Sequence, residues 1–205
     1  MQSEIESIKR LKNPKYKVSC HYLINRKGKI IQLVKDKNIA WHAGKSKWKK
    51  ITDLNKDSIG IELVNKGHEF GYQNFSPKQI KSLIRLCKNL KKKYFIKKEN
   101  FLGHSDIAPL RKIDPGKKFP WKKLSMHNIG NWYSKKEKKI EVNQKKIEHS
   151  FFKNLQKLGY RYFSVKNRKS NDQKIIKSFQ SHYLPNRVTG KVDQKTFEIS
   201  HFLTH

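Results

Sequence analysis

The stretch "SIGIELVNKGHEFGYQNFSPKQIKSLIRLCKNLKKKYF" (58–95) passes from one residue periodicity to another, and that change sets the fold class. In its opening "SIGIELV", an extended backbone puts Ile59, Ile61 and Leu63 on one face and Gly60, Glu62 and Val64 on the other. A short buried strand is expected there. From Ser76 the spacing becomes helical. Ser76 is an N-cap, Pro77 takes the first position, where a missing N–H is harmless, and Gln79 stands where a capping box needs it. Ile80, Leu83, Ile84, Cys87, Leu90 and Tyr94 then form one apolar stripe with lysines opposite. A strand followed by a long amphipathic helix is the beginning of an α/β fold.

The flanking sequence extends the pattern. Upstream, "VSCHYLI" (18–24) and "KIIQLV" (29–34) are apolar, β-branched runs on either side of "NRKG", where Gly28 can take positive φ; a β-hairpin is expected. Downstream, "NFLG" (100–103) reads as a further strand leading into His104. Strands alternating with a long helix argue for an α/β sandwich. The composition shifts near residue 125. "SKKEKKIEVNQKK" (134–146) is charged and has no apolar face, as a solvated connector would be. Beyond it, residues 147–159, 171–183 and 193–203 have helical spacing, with Gly159 ending the first and Asp193 capping the last. The expected organisation is a domain over 1–130, a charged linker over 131–146 and a small all-α three-helix module over 147–205.

Composition narrows the function classes without choosing one. There are 48 Lys+Arg against 16 Asp+Glu, a formal net charge of +32. Salt-sensitive attraction to polyanions follows, whether nucleic acid, anionic lipid or carboxylate-rich cell wall. The lysines are spread along the chain among Asn and Ile, as coding bias would also produce. They are not gathered with aromatics on one element, as a stacking platform for single strands requires. No specific nucleic-acid partner is expected. Cys20 and Cys87 lack the spacing of a zinc knuckle or redox pair and read as buried free thiols. No stretch has the ~20 apolar residues of a membrane span. The opening "MQSEIESIKRLKNPKYK" has no apolar core, so no secretory signal is expected in it.

Chemistry concentrates in "FLGHSDIAPLRKIDPG" (101–116). His104 ends an apolar run, and Lys112 and Asp114 lie in the loop that follows. The residues alone leave two readings. Asp-Pro-Gly is an ordinary turn, but imidazole nitrogen and carboxylate oxygen are also what zinc takes as ligands. Glu62 bears on the choice. A carboxylate within a buried strand costs several kcal/mol unless paired or set in a polar cavity; on an edge strand it would simply face water. If buried, Glu62 would suit a general base. Glu62, His104, Lys112 and Asp114 together make a hydrolytic kit of metal ligands, base and oxyanion partner. "IAWHAG" (39–44) adds Trp41 and His42, either as a substrate wall or as a core tryptophan with an incidental histidine. His21, in the hairpin, reads as a satisfied buried histidine.

Five motifs in one order, "VSCHYLINRKGKIIQLV", "AWHAG", "SIGIELVN", "FSPKQIKSLIRL" and "GHSDIAPLRKIDPGKKFPW", resemble the zinc-dependent N-acetylmuramoyl-L-alanine amidases of the type 2 peptidoglycan amidase family. The similarity covers roughly residues 17–125. "SFQSHYLPNRVTGKVDQKTFE" (178–198) is similar to a peptidoglycan-binding helical module. The resemblance implies a mixed sheet flanked by helices and a catalytic Zn2+. It also implies cleavage of the amide between N-acetylmuramic acid and the L-alanine of the stem peptide. Carried over, His104 and Asp114 match zinc ligands, Glu62 the catalytic acid/base, Lys112 the group stabilising the transition state, and Trp41 and His42 the substrate cleft. Peptidoglycan or muropeptides are the implied partner, and the periplasm or cell envelope the implied location. The family's other zinc histidine lies on a strand upstream of the hairpin, in His-Tyr-Thr or His-His-Thr. No such motif precedes residue 18, so the first strand and one ligand are expected to be missing. An alternative reading follows, that of a truncated amidase that only binds peptidoglycan.

Overall fold

In the computed structural model, which describes residues 3–134, 140, 142–143 and 146–205, the chain divides into two compact units. The first comprises Met1–Ser46 with Asp53–Lys97, and the second Lys47–Thr52 with Lys98–His205. The hairpin lies in the first, as β1 (Tyr22–Ile24) and β2 (Ile30–Gln32). They pair antiparallel with Leu23 opposite Ile31, and Gly28 takes φ +85 in the turn. β3 (Ile61–Leu63) pairs parallel to β1, with Leu23 opposite Glu62. The order β2-β1-β3 is a mixed sheet with β1 in the middle.

β1 is wholly buried, whereas Ile61, Glu62 and Leu63 are all only partly buried. This corrects the expectation of a buried strand: among the described residues β3 is an edge, covered on one side only. Around the sheet, Leu11, Cys20, Leu23 and Val64 form a core against which Ile8, Val18, Ile31 and Leu33 pack. Part of that cover comes from α1 (Glu4–Lys12), which the sequence reading did not assign. Its signal was present in Ser3-x-x-Glu6, a reciprocal capping box that satisfies two otherwise orphaned N–H groups. A short helix, α2 (Leu54–Asp57), precedes β3.

The long helix is α3 (Pro77–Tyr94), capped by the Ser76 hydroxyl, which accepts from the Gln79 N–H at 3.1 Å. The Gln79 side chain does not return to the cap. It is fully buried and donates to the carbonyls of Ile24 at 2.9 Å and Val64 at 3.2 Å, the residues ending β1 and following β3. Interior strand-end carbonyls, that of Ile24 also accepting from the Val64 N–H at 3.0 Å, compete better for a buried amide than a solvated helix start does. Ile80, Leu83, Ile84, Cys87 and Leu90 are buried as the stripe required. Tyr94 is not. It is 40% exposed and its hydroxyl donates to Asp36.

In the second unit, residues 98–100 form a 3₁₀ turn and 101–103 are irregular. The strand expected at "NFLG" does not form, because the Phe101 and Gly130 N–H groups are spent on the Lys98 carbonyl. α4 (His104–Ile107) and α5 (Trp121–Ser125) follow. The expected charged connector falls largely on residues outside those described (135–139, 141 and 144–145). The three helices beyond it are α6 (Ile147–Leu158), α7 (Asp172–Tyr183) and α8 (Gln194–Phe202). Phe151, Phe152, Leu155, Ile175, Phe179 and Ile199 are fully buried among them. Trp48 meets Tyr160 edge-to-face at 5.1 Å, so this unit's core draws on residues 47–52 as well.

Candidate active site

Residues 103–115 form one excursion of the second unit with tied ends, buried over 105–109 and reaching the surface over 111–114. The Ser105 N–H donates to the Asp114 carbonyl at 2.8 Å, and the Ala108 carbonyl accepts from the N–H groups of Arg111 and Lys112. Gly103 opens it with no room for a side chain. A Cβ there would lie 2.7 Å from Pro115 Cδ and 3.3 Å from both Asp106 Oδ2 and Trp121 Cζ2. His104 Nδ1 and Asp114 Oδ2 meet at 3.2 Å, and an Arg111 guanidinium N–H approaches His104 Nε2 at 3.4 Å. The His104 side chain is 16% exposed and that of Asp114 is 55% exposed.

Partial desolvation works against the charged form of Asp114. The His104 hydrogen bond and the charges of His104 and Lys112 outweigh it, leaving the carboxyl below its ordinary value. An ionised carboxylate thus stands beside an imidazole at a surface, with Lys112 on the same excursion. Among the described residues no third His, Cys, Asp or Glu joins them as a group.

Glu62, Trp41 and His42 belong to the first unit. Glu62 is half-buried on β3. Burial first, and the Glu62 charge second, push the buried Cys20 thiol up to about 12. Cys20 is therefore no nucleophile at neutral pH, and the absence of a disulfide leaves it and Cys87 as free, buried thiols. His42 sits between the Ala40 carbonyl and Ser58 Oγ, each 2.9 Å away. Its ring presses on the backbone just before β3, where a Cβ on Gly60 would come within 2.3 Å of His42 Cγ. His21 is 1% exposed and satisfied, with Nδ1 accepting from the Gly60 N–H at 3.1 Å and Nε2 donating to the Asn38 carbonyl at 3.0 Å. Trp41 is no core residue. Its N–H donates to Ser19 Oγ at 2.8 Å and its carbonyl accepts from the Ser19 N–H at 3.0 Å, which holds the main chain and leaves the residue 54% exposed. The buried tryptophans are Trp48 and Trp121.

Residues 2–117 match the family described as N-acetylmuramoyl-L-alanine amidase. The chain belongs to that family. Its members are generally zinc-dependent. The N-acetylmuramoyl-L-alanine amidase AmiD of Escherichia coli K12 is 37% identical over 205 aligned residues, covering 91% of this chain and 73% of AmiD. A structure of E. coli AmiD with the substrate anhydro-N-acetylmuramic acid-L-Ala-D-γ-Glu-L-Lys gives a TM-score of 0.84 at 33% identity. It covers 98% of this chain and 84% of that one. AmpDh3 of Pseudomonas aeruginosa, in complex with anhydromuramic pentapeptide, gives 0.85 at 29% identity, covering 98% and 86%. The α/β architecture with a mixed sheet and helices is thus that of this amidase family.

Three residues around the excursion escaped the sequence reading: Asp106, Tyr160 and His182. Asp106 is 1% exposed. Its carboxylate accepts from the Gly103 N–H at 2.7 Å, the Tyr160 hydroxyl at 2.6 Å and His182 Nδ1 at 2.9 Å. Contacts 54 and 76 residues apart leave no periodicity in a sequence. The only local hint was an acid inside an otherwise apolar turn, "SDIA".

Proposed function

We propose that this chain hydrolyses the amide joining N-acetylmuramic acid to the L-alanine of a peptidoglycan stem peptide. The observation that carries the reading is the approach of His104 Nδ1 to Asp114 Oδ2 at 3.2 Å across a surface excursion, in a chain of the amidase family. Imidazole nitrogen and ionised carboxylate are suitable zinc donors, and here they converge, so the pair fits two of the three protein ligands of a catalytic zinc. Bound there, the ion would acidify a water and polarise the scissile carbonyl.

The chain's own residues supply the rest. Glu62 takes the proton of the attacking water and returns it to the departing alanine nitrogen. That role follows from its place in "SIGIELVN" and suits a carboxylate half-removed from solvent. Lys112 stabilises the oxyanion formed when water oxygen bonds to the carbonyl carbon. Trp41 presents an exposed indole, and His42 a ring locked against Gly60, as contacts for the sugar-peptide substrate. E. coli AmiD and AmpDh3, whose structures hold anhydromuramyl peptides, support this substrate class.

The proposal extends to organisation and place. Residues 1–130 act as the amidase domain, 131–146 as a connector and 147–205 as the part that holds peptidoglycan, in the periplasm or cell envelope. The lack of a third grouped ligand among the described residues favours one rival reading, wall binding without turnover. Release of free stem peptide from purified muropeptides decides between them. Zinc-dependent release that fails in Glu62→Gln supports the hydrolase. Sedimentation with insoluble peptidoglycan and no release, with zinc supplied, overturns it.

A further inference from the structure

The excursion that carries His104, Lys112 and Asp114 rests on the helices at the other end of the chain. Asp106 is buried on α4, as are Ser105 and Ile107 on either side of it. Its two oxygens are taken by the Tyr160 hydroxyl, just past α6, and by His182 Nδ1 on α7. The His182 ring is sandwiched between Trp121 of α5, with centroids 3.9 Å apart and planes 13° apart, and Tyr183, at 4.0 Å and 10°. Asp106 can only accept from it, so the proton is on Nδ1. His182 Nε2 is buried with no partner, and the ring is 3% exposed. One residue along, the Ser105 carbonyl accepts from Ser178 Oγ of α7 at 2.8 Å, and the Ser105 N–H holds the Asp114 carbonyl.

These contacts are more than a stability device would need. A buried acid–histidine pair replaced by apolar groups is often neutral or stabilising, so what the pair adds is a defined geometry. Here that geometry belongs to a backbone bearing two candidate metal ligands and a cation. Groups that orient ligands from behind matter because reacting atoms must be held within about 0.5 Å of their productive place.

We propose that Tyr160, Ser178 and His182 are positioning residues for the amidase reaction, fixing through Asp106 and Ser105 the backbone path that sets His104, Lys112 and Asp114. The inference rests on the hydrolase reading above. It makes the C-terminal helices part of the catalytic scaffold as well as a wall-holding module.

The test uses the full chain with Tyr160→Phe and Ser178→Ala, each removing a single hydroxyl so that the helices persist, alongside His182→Gln, which keeps an amide donor. Hydrogen exchange is followed at the amides of Ser105, Asp106, Ala108 and Lys112, and kinetics on a soluble anhydromuramyl peptide. Exchange in 103–115 should accelerate about tenfold, with 77–94 unchanged. In zinc-loaded protein kcat should fall about 10- to 100-fold, the range for residues that orient ligands, with KM within about twofold and peptidoglycan sedimentation retained. His182→Gln should lose least. Unchanged exchange, equal acceleration in both segments, or unaltered kcat would each overturn the proposal. If the unsubstituted chain shows no turnover, the hydrolase reading falls, and the exchange experiment alone decides whether these helices hold the excursion.

Discussion

Asp106 and Asp114 sit on one excursion and have opposite environments. Asp106 is 1% exposed and engaged by a backbone N–H, a tyrosine and a histidine. The Asp114 side chain is 55% exposed, and its paired oxygen meets His104. Both are carboxylates beside an imidazole. One is spent on structure, with no face left for a ligand. The other stays ionised at a surface, where an incoming cation can reach it. Residue type does not distinguish them, and burial does.

The contrast is sharpest in stability. Asp106→Ala leaves the Tyr160 hydroxyl and His182 Nδ1 unmet in the interior, and should cost about 3–5 kcal/mol in denaturant unfolding. A loss below about 1 kcal/mol would mean the pair is replaceable by packing. Asp114→Asn should reverse the pattern. Stability should change by less than about 1 kcal/mol, as for exposed ion pairs, whereas kcat/KM on an anhydromuramyl peptide should fall about 10³-fold with the loss of the polarising ion. Equal effects of the two substitutions in both assays would erase the distinction.

A third acid extends it to pH. Desolvation pushes Asp36 upward, but the Tyr22 and Tyr94 hydroxyls and the Lys93 ammonium outweigh it and hold the carboxyl near about 2, below its ordinary 3.8. Because the folded value is depressed, its contribution is intact above about pH 4 and is lost as pH falls towards 2. Unfolding of Asp36→Asn should therefore be less pH-dependent than that of the unsubstituted chain between pH 4 and 2. Parallel curves would refute the assignment. The smallest effect belongs to Trp41. Its exposed ring predicts a stability change within about 0.5 kcal/mol for Trp41→Ala, with KM raised several-fold if the indole contacts substrate. An unchanged KM would remove it from the cleft.

The sequence made the covalently near features legible. The hairpin, α3 with its Ser76 cap, and the three C-terminal helices all show themselves through periodicity and capping residues, which act within a few positions. His104 and Asp114 were singled out because their ligand chemistry is local and their motif is shared with the family. What failed depended on pairing elsewhere. "NFLG" is apolar and strand-like, but its neighbouring amides close a 3₁₀ turn on Lys98 instead of a ladder. Gln79 looked like half of a capping box, and the interior carbonyls of Ile24 and Val64 claimed it. Glu62 looked buried because "SIGIELV" is apolar, although β3 is an edge among the described strands. Asp106 gave no more than the hint of an acid in a short turn, since its partners are supplied by tertiary packing alone.

Zinc titration of the full chain, read by elemental analysis after gel filtration and by competition with a chromophoric chelator, tests the central claim most directly. A zinc hydrolase should bind roughly one zinc per chain, lost in both His104→Ala and Asp114→Asn and kept in Trp41→Ala. Zinc that stays bound in both ligand variants, or a chain that binds none, would contradict it.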